Sequence, residues 1–301
     1  MKKIWIIGVL LFCFAQAQAQ DTLMAQKPDK KRLKTLLYTS GALYIGSMSF
    51  LYTAWYKGYK QAPFHWADDA GEWLQKDKFG HLTTAYEVGN YGYWALRWAG
   101  VSEKKAVWWG GTSGLMFLTT VEFFDGLSAE WGASPTDLLA NTLGSALFIS
   151  QQLVWHDQRI RLKFSYHPTM YAQYNPSVLG DNFYQRIIKD YNGETNWLSI
   201  NIHSFLKQDS RFPAWLNVAV GYGAKGMTGA YGDPSSVNGQ PIPEFPRVRQ
   251  YYLSVDVDWT KIKTNSHFLR FMFKVISFVK VPAPAIEYNR EDGWRVHALF
   301  F

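Results

Sequence analysis

Polar and ionisable residues recur inside apolar segments between Asp77 and Asn141, and this feature constrains the fold most. The run DKFGH at 77–81 begins one segment, EFFDG at 122–126 ends the next, and SPTDLLAN at 134–141 begins a third. Burying a carboxylate or an imidazole is costly unless the group is paired. The helices must therefore bring these groups together, either as a functional site or as a structural network.

The third segment has the features of a well-defined helix start. Ser134 suits the N-cap, Pro135 suits the first helical position, and Asp137 lies where a carboxylate can complete the cap. Asn141 lies one turn further along the same face, where an amide gains nothing from capping. We therefore predict that Asp137 and Asn141 form an inward-facing pair.

Two carboxylates in the second segment need partners from elsewhere. Glu122 and Asp125 share a face at a helix end, where the helix dipole disfavours negative charge. Lys78, His81, a bound cation or solvent could each compensate for this. His81 follows Asp77 at helical spacing, so a nearby carboxylate could orient its ring.

These residues form a candidate catalytic cluster that could equally be structural: His81, Glu122, Asp125, Asp137 and Asn141. As metal ligands, four of them would supply one nitrogen and several oxygens, which suits a hard or borderline cation. The sequence has no HExxH run, and no second histidine completes an iron triad. The cofactor and the metal therefore remain unknown at this stage.

The N-terminus predicts export. Two lysines after Met1 precede an apolar run over 4–14 and a stretch of small residues, which indicates a signal peptide with cleavage after Ala19. Cys13 lies inside this run and is the only cysteine, so the mature chain would have neither disulfides nor thiol chemistry. We expect a bacterial cell-envelope location, with the outer membrane or the periplasmic face favoured over the cytoplasm.

Charge and glycine patterns bear on the partners. A net charge of +7 in an exported chain favours acidic lipid over nucleic acid. GYGAKG at 221–226 matches the dinucleotide pattern GxGxxG, but the turn-rich run after it cannot open the required helix. We predict membrane lipid or an envelope protein as partner, with no nucleic acid and no nucleotide.

The helical half is predicted to extend over 20–160. An uncharged stretch at 35–55 is long enough to cross a bilayer, and further helical segments are expected at 81–98, 106–124 and 135–155. Small residues recur at spacings that would let helix backbones approach closely, at Ser40, Gly41, Gly46, Gly89, Gly92, Gly110, Gly111 and Gly114. The sequence thus predicts an α+β protein whose N-terminal part is a membrane-associated bundle of about four helices.

The C-terminal half, 161–301, is predicted to be rich in strands. Short alternating runs such as RLKFSYH, WLSINIH and YYLSVDVDW are separated by turn signals. Between them, 266–280 has Arg270, Lys274 and Ser277 on one helical face and apolar residues around the rest. This pattern is typical of an amphipathic helix at a membrane interface, although a core-facing helix has the same pattern.

The three polar motifs resemble those of the YfiM-like family of bacterial envelope proteins, over roughly residues 40–155. A more distant similarity is to VanZ-like membrane proteins. The resemblance implies an envelope location and a shared helical core, and it implies no particular reaction. The matching positions are Asp77, Lys78, His81, Glu122, Asp125, Gly126, Ser134, Asp137, Asn141 and Gly144.

Two functional hypotheses follow. The first is a structural or lipid- or partner-interacting envelope membrane protein held together by its polar network. The alternative is a membrane-embedded, hydrolase-like enzyme that acts on a lipid or cell-wall precursor through His81, Glu122, Asp125, Asp137 and Asn141. Clustered ionisable groups in an apolar setting motivate the second hypothesis.

Overall fold

The computed structural model describes residues 27–207 and 209–301, so the predicted signal peptide at 1–19 lies outside the described residues. The helical half comes first along the chain. A π-helical turn, Tyr52–Tyr56, follows the first helix, and a 3-10 turn, Glu72–Gln75, precedes the second. The helices are α1 (Lys30–Leu51), α2 (Lys76–Trp98), α3 (Glu103–Gly111), α4 (Ser113–Gly126) and α5 (Pro135–Trp155).

Helix α2 is the central element of this half and packs against α3, α4 and α5. Its buried Tyr86 lies in an apolar core with Val107 of α3 and Phe148 and Ile149 of α5. Leu162, from the first strand after α5, completes this core. The core therefore continues from the helices to the edge of the sheet.

Helix α1 is attached differently, because none of its residues is buried. Asp29 caps its first turn, accepting hydrogen bonds from the amides of Lys31 and Arg32. Leu33 and Leu36 pack near the α2–α3 connection. Most of the remaining length of α1 stands away from the bundle.

The prediction of a membrane-spanning segment is wrong. Within residues 27–207 and 209–301, no helix combines the length and the apolar character that crossing a membrane requires. The stretch at 35–55 is uncharged, but threonines, serines and glycines dilute its hydropathy. The prediction of a membrane-associated helical bundle is therefore also wrong.

The second half contains a six-stranded antiparallel sheet in the order β1-β2-β3-β6-β7-β8. A small hairpin of β4 and β5 and three short helices lie in the connections. The elements are β1 (Ile160–Tyr166), α6 (Pro176–Leu179), α7 (Phe183–Lys189), β2 (Glu194–Ile200), β3 (Leu216–Lys225), β4 (Ser236–Val237), β5 (Gln240–Pro241), β6 (Val248–Val257), α8 (His267–Val275), β7 (Ala283–Asn289) and β8 (Gly293–Phe300).

The two faces of this sheet have opposite character. One face is concave. The ring centroids of Phe300 in β8 and Trp197 in β2 lie only 6.0 Å apart, although three strands separate β8 from β2 in the sheet. Polar groups are buried there, including a Lys163–Asp256 ion pair with the Nζ and Oδ2 atoms 2.7 Å apart. The opposite face carries a row of exposed apolar register partners, one from each of five strands: Leu198, Val220, Leu253, Ile286 and Val296.

The predicted amphipathic helix at 266–280 is shorter than expected. Helix α8 ends at Val275, and the next residues turn back toward β1, where Phe164 bridges to Val279. Phe271 is buried, whereas Phe268 is exposed. Ser277 is fully buried and therefore does not belong to a solvated polar face.

Candidate functional site

All five predicted site residues meet in one place. Helix α2 contributes His81, the end of α4 contributes Glu122 and Asp125, and the start of α5 contributes Asp137 and Asn141. We call these residues, with Asp69, Glu72, Asp77 and Lys78, the polar cluster. The cap of α5 forms as predicted, since the Ser134 hydroxyl accepts a hydrogen bond from the Asp137 amide at 2.9 Å.

Lys78 is the central cation of the polar cluster. Its Nζ lies 2.6 Å from Asp69 Oδ2, 3.2 Å from Asp77 Oδ2 and 3.0 Å from Asp137 Oδ1. Burial disfavours the charged ammonium, but these carboxylates outweigh it and raise the pKa of Lys78 above its ordinary value. Lys78 therefore stays protonated and neutralises much of the cluster.

Sequence reasoning missed Glu72 and Asp69, and Asp69 has the larger number of polar partners. Its Oδ1 accepts hydrogen bonds from Ser134 Oγ at 2.5 Å and from Thr136 Oγ1 at 2.7 Å. Burial raises its pKa, but side-chain hydrogen bonds, first from Asp137 and then from Lys78, Ser134 and Thr136, outweigh burial and lower the pKa to about 2. Asp69 lies in the loop before α2, and its acidic neighbour Asp68 was the only local signal.

The contacts of His81 determine its tautomer. Nδ1 lies 3.0 Å from Asn141 Oδ1, which is an acceptor, and 3.5 Å from Glu122 Oε1. The Nδ1–H group therefore donates to Asn141 and leaves the lone pair on Nε2. Nε2 lies 3.9 Å from Asp77 Oδ1, and His81 lines the cavity described below.

The two carboxylates of α4 are held by different donors. Glu122 Oε2 accepts the Ser134 amide at 2.9 Å, whereas Oε1 accepts no hydrogen bond from the described residues. Burial raises the pKa of Glu122 to about 8. Asp125 accepts a 2.7 Å hydrogen bond from the Tyr56 hydroxyl, and burial raises its pKa to about 6.

Asp77 and Asp137 both contact the Lys78 ammonium and differ in their other partners. The Tyr191 hydroxyl donates to Asp77 Oδ1 at 2.6 Å and so ties the cluster to the C-terminal half. Burial and the neighbouring Asp77 raise the pKa of Asp137. The predicted Asp137–Asn141 pair lies inward, at 4% and 0% exposure.

A large cavity lies between α1 and the rest of the molecule and reaches the polar cluster. Its volume is about 1440 Å³. Apolar side chains of α1, α2 and α4 form its walls, among them Leu43, Phe50, Val88, Phe117 and Val121. Asp69, Glu72, Asp77, His81, Asp125 and Asp137 line its polar part.

Two subsets of the polar cluster bring possible metal ligands close together. Ligand atoms of Asp77, His81 and Asp137 lie within 4.8 Å of one another, as do those of Asp69, Glu72 and Asp77. A histidine nitrogen with carboxylate oxygens suits a divalent cation. The Lys78 ammonium already contacts Asp77 and Asp137, so a metal ion would compete with it for these oxygens.

No family model, curated protein or solved structure matches this chain. The resemblance to YfiM-like proteins therefore stays a prediction, and the chemistry of the cavity and the polar cluster carries the functional argument.

Proposed function

We propose that this chain is an exported cell-envelope protein that binds one lipid-like amphiphile in the cavity between α1 and the rest of the molecule. The cavity carries this proposal. At about 1440 Å³ it exceeds the roughly 300–1,000 Å³ typical of pockets for drug-sized ligands. A ligand with a long apolar part accounts for this size better than a compact metabolite does.

The shape of the cavity supports the same conclusion. Its lining follows α2 from Asp77 to Tyr91, a length of about 21 Å at 1.5 Å per residue. Apolar residues face this space from α1 and α4, while ionisable residues gather at the α2 N-terminus. An elongated molecule with one apolar and one polar end matches this distribution.

The bonding within the polar cluster favours binding over catalysis. Lys78 contacts three carboxylates, and two tyrosine hydroxyls donate to Asp77 and Asp125. Ion pairs and hydrogen bonds shared in this way rigidify the part of the structure that they join. We infer that the cluster fixes one end of the cavity and joins the two halves of the chain.

Filling the cavity tests this function. Gly46 lines the cavity, and a Cβ atom there would meet nothing within 4 Å, so Gly46→Phe should place its ring in the ligand space. Gly41→Phe is the matched control, because Gly41 lies on the same helix in open space and does not line the cavity. Calorimetric titration with decyl maltoside should show binding to the parent and the control, and binding weakened about tenfold or more in Gly46→Phe. Equal affinity in all three proteins, or no binding to the parent, would refute the proposal.

A second candidate function is hydrolysis of a lipid or cell-wall precursor. The observation that favours it is the orientation of His81, whose Nε2 lone pair can accept a proton from water while Asn141 holds Nδ1. A deletion strain complemented with parent or His81→Gln protein would test it. Envelope lipid and precursor profiles that depend on His81 would support hydrolysis, and identical profiles in the two complemented strains would exclude it.

A further inference from the structure

The charges that line the cavity are strongly unbalanced. Eight acidic side chains line it: Asp69, Glu72, Asp77, Glu87, Asp125, Glu130, Asp137 and Glu194. The basic side chains among the described lining residues are His81 and Lys189. Lys78 and Lys76 lie behind this lining and interact with four of the acids. Acidic groups therefore outnumber basic groups along the cavity, although burial raises the pKa of Glu72 and of Glu87 to about 7 and leaves both partly protonated at neutral pH.

Two of these acids have unused acceptor capacity. Within the described residues, no hydrogen bond or ion pair engages the Glu72 carboxylate. Glu87 is only 7% exposed, and its Oε1 has no hydrogen-bond partner. The Oε1 atom of Glu87 is closed off from solvent and so from a ligand in the cavity, whereas Glu72 is half-buried and lines the cavity. The Glu72 carboxylate is therefore the acceptor that remains for a donor supplied by the ligand.

Aromatic rings supply a second, independent indication. Tyr56, Tyr59 and Trp131 all line the cavity. The ring centroids of Tyr56 and Tyr59 lie 5.8 Å and 4.6 Å from that of Trp131, and both contacts are edge-on. The Tyr56 hydroxyl donates to Asp125, so this aromatic group adjoins the acids. Aromatic faces beside carboxylates are the chemistry that recognises an ammonium group.

We propose that the amphiphile bound in this cavity carries an ammonium head group, either a free amine or a quaternary ammonium. This inference rests on the proposed function and names its ligand class. The acids attract the positive charge, and the rings of Tyr56, Tyr59 and Trp131 contact its methyl or methylene groups. An anionic head such as a phosphate would face the same carboxylates and be repelled.

Three probes with one common alkyl chain separate the head group from the tail. Decyltrimethylammonium, decyl maltoside and decyl phosphate would each be titrated calorimetrically into the full chain at concentrations where the probe is monomeric. We expect the ammonium probe to bind about tenfold tighter than the phosphate probe, with the maltoside between them. Comparable or tighter binding of the phosphate probe would overturn the inference and leave the amphiphile-binding function intact. Failure of all three probes to bind would refute both.

Substitutions identify the residues that distinguish the ammonium probe from the phosphate probe. Glu72→Gln should reduce the preference for ammonium over phosphate at least threefold, while the maltoside affinity stays unchanged. Glu244→Gln is the control, because Glu244 is exposed and does not line the cavity. Tyr59→Leu should weaken the binding of the ammonium probe and leave the affinities of the other two probes unchanged. A preference that survives all of these variants would place the recognition elsewhere and overturn the assignment.

Discussion

At the scale of residues, two lysines, one half-buried and one buried, show how this chain stabilises charge away from water. Lys78 contacts three carboxylates, and Lys163, fully buried under the concave face of the sheet, contacts Asp256 and donates to the Val257 carbonyl at 2.7 Å. Removing one partner from such a buried pair leaves an uncompensated charge. These lysines therefore make the surrounding carboxylates interdependent.

His81 gives the first prediction, because its loss would leave neighbouring polar groups without a partner. Replacing it by Ala removes the donor to Asn141 Oδ1 and the ring nitrogen that lies 3.5 Å from Glu122 Oε1. We expect the free energy of unfolding to fall by about 1–3 kcal/mol, measured by urea denaturation. His267→Ala, at an exposed position in α8, should change it by less than about 0.5 kcal/mol. Unchanged stability in His81→Ala would mean that His81 and its partners do not stabilise the fold, and it would favour the hydrolytic candidate.

Glu87 gives a pH-dependent prediction. Burial raises its pKa from 4.5 to about 7, against the opposing effects of Arg161, Asn90 and Lys163. Between these two values the folded chain retains a proton that the unfolded chain has released, so this carboxyl makes stability fall as pH rises. Glu87→Gln should therefore be similar in stability to the parent near pH 5 and gain on it toward pH 8, by at most about 3 kcal/mol.

Thermal unfolding of the parent and of Glu87→Gln between pH 5 and pH 8 would show whether the variant becomes more stable than the parent as pH rises. Glu244→Gln serves as the control, since its carboxylate is exposed. Parallel stability profiles of parent and Glu87→Gln would show that the carboxyl titrates in the folded chain as it does in the unfolded one.

At the scale of elements, small residues decide how closely the helices approach. The prediction of close contacts is confirmed for Gly110 and Gly114: a Cβ would lie 2.4 Å from the Tyr93 amide nitrogen in the first case and 2.1 Å from the Ala85 carbonyl oxygen in the second. It is wrong for Gly41 and Gly46 of α1, which have open space around them. The same residue type therefore has different roles in α1 and in α4.

This difference gives a paired prediction. Gly114→Ala should push α4 away from α2 and lower the free energy of unfolding by about 1–3 kcal/mol. Gly41→Ala should raise it by about 0.5–1 kcal/mol, because Ala favours the helix and nothing obstructs it. Urea denaturation would measure both changes. Two shifts of the same sign would contradict the packing described here.

In the sheet, the sequence pattern predicts the strands but not which face of the sheet is buried. Period-two alternation correctly indicated the strands now seen as β1, β2 and β6. Alternation says only that the two faces differ, and the usual expectation puts the apolar face inside. Here Asp256 is buried while its neighbour Val255 is 45% exposed. The curvature of the sheet and the ion pairs beneath it decided which face was enclosed.

At the scale of the whole molecule, α1 closes the cavity while being held only at separated points. The Asp29 amide bonds to the Ala99 carbonyl at 2.9 Å, and the Tyr44 hydroxyl donates to Thr120 at 3.0 Å. At the far end, Lys189 Nζ donates to the Ala54 carbonyl at 2.6 Å. Elements with few buried contacts open locally at low free energy.

Hydrogen exchange would test this role of α1. Amides from Thr39 to Leu51 should exchange faster than those of α2 in the ligand-free chain, and decyl maltoside should slow them selectively. Amides of β3, remote from the α1 wall, serve as the internal reference. Equal protection of α1 and α2 without ligand, or no change on adding it, would show that α1 is a fixed wall.

The sequence by itself determined the helical segments around the polar motifs and the cap at Ser134, because spacing and capping are local. It also named His81, Glu122, Asp125, Asp137 and Asn141 as one cluster, but the packing of three helices brings them together. Only the tertiary structure decided that Asp69 joins them, that α1 stands off to leave a cavity, and that the sheet encloses its polar face. These outcomes depend on contacts between residues far apart in the chain, such as Tyr191 with Asp77, and on the balance of burial and charge pairing once those residues meet.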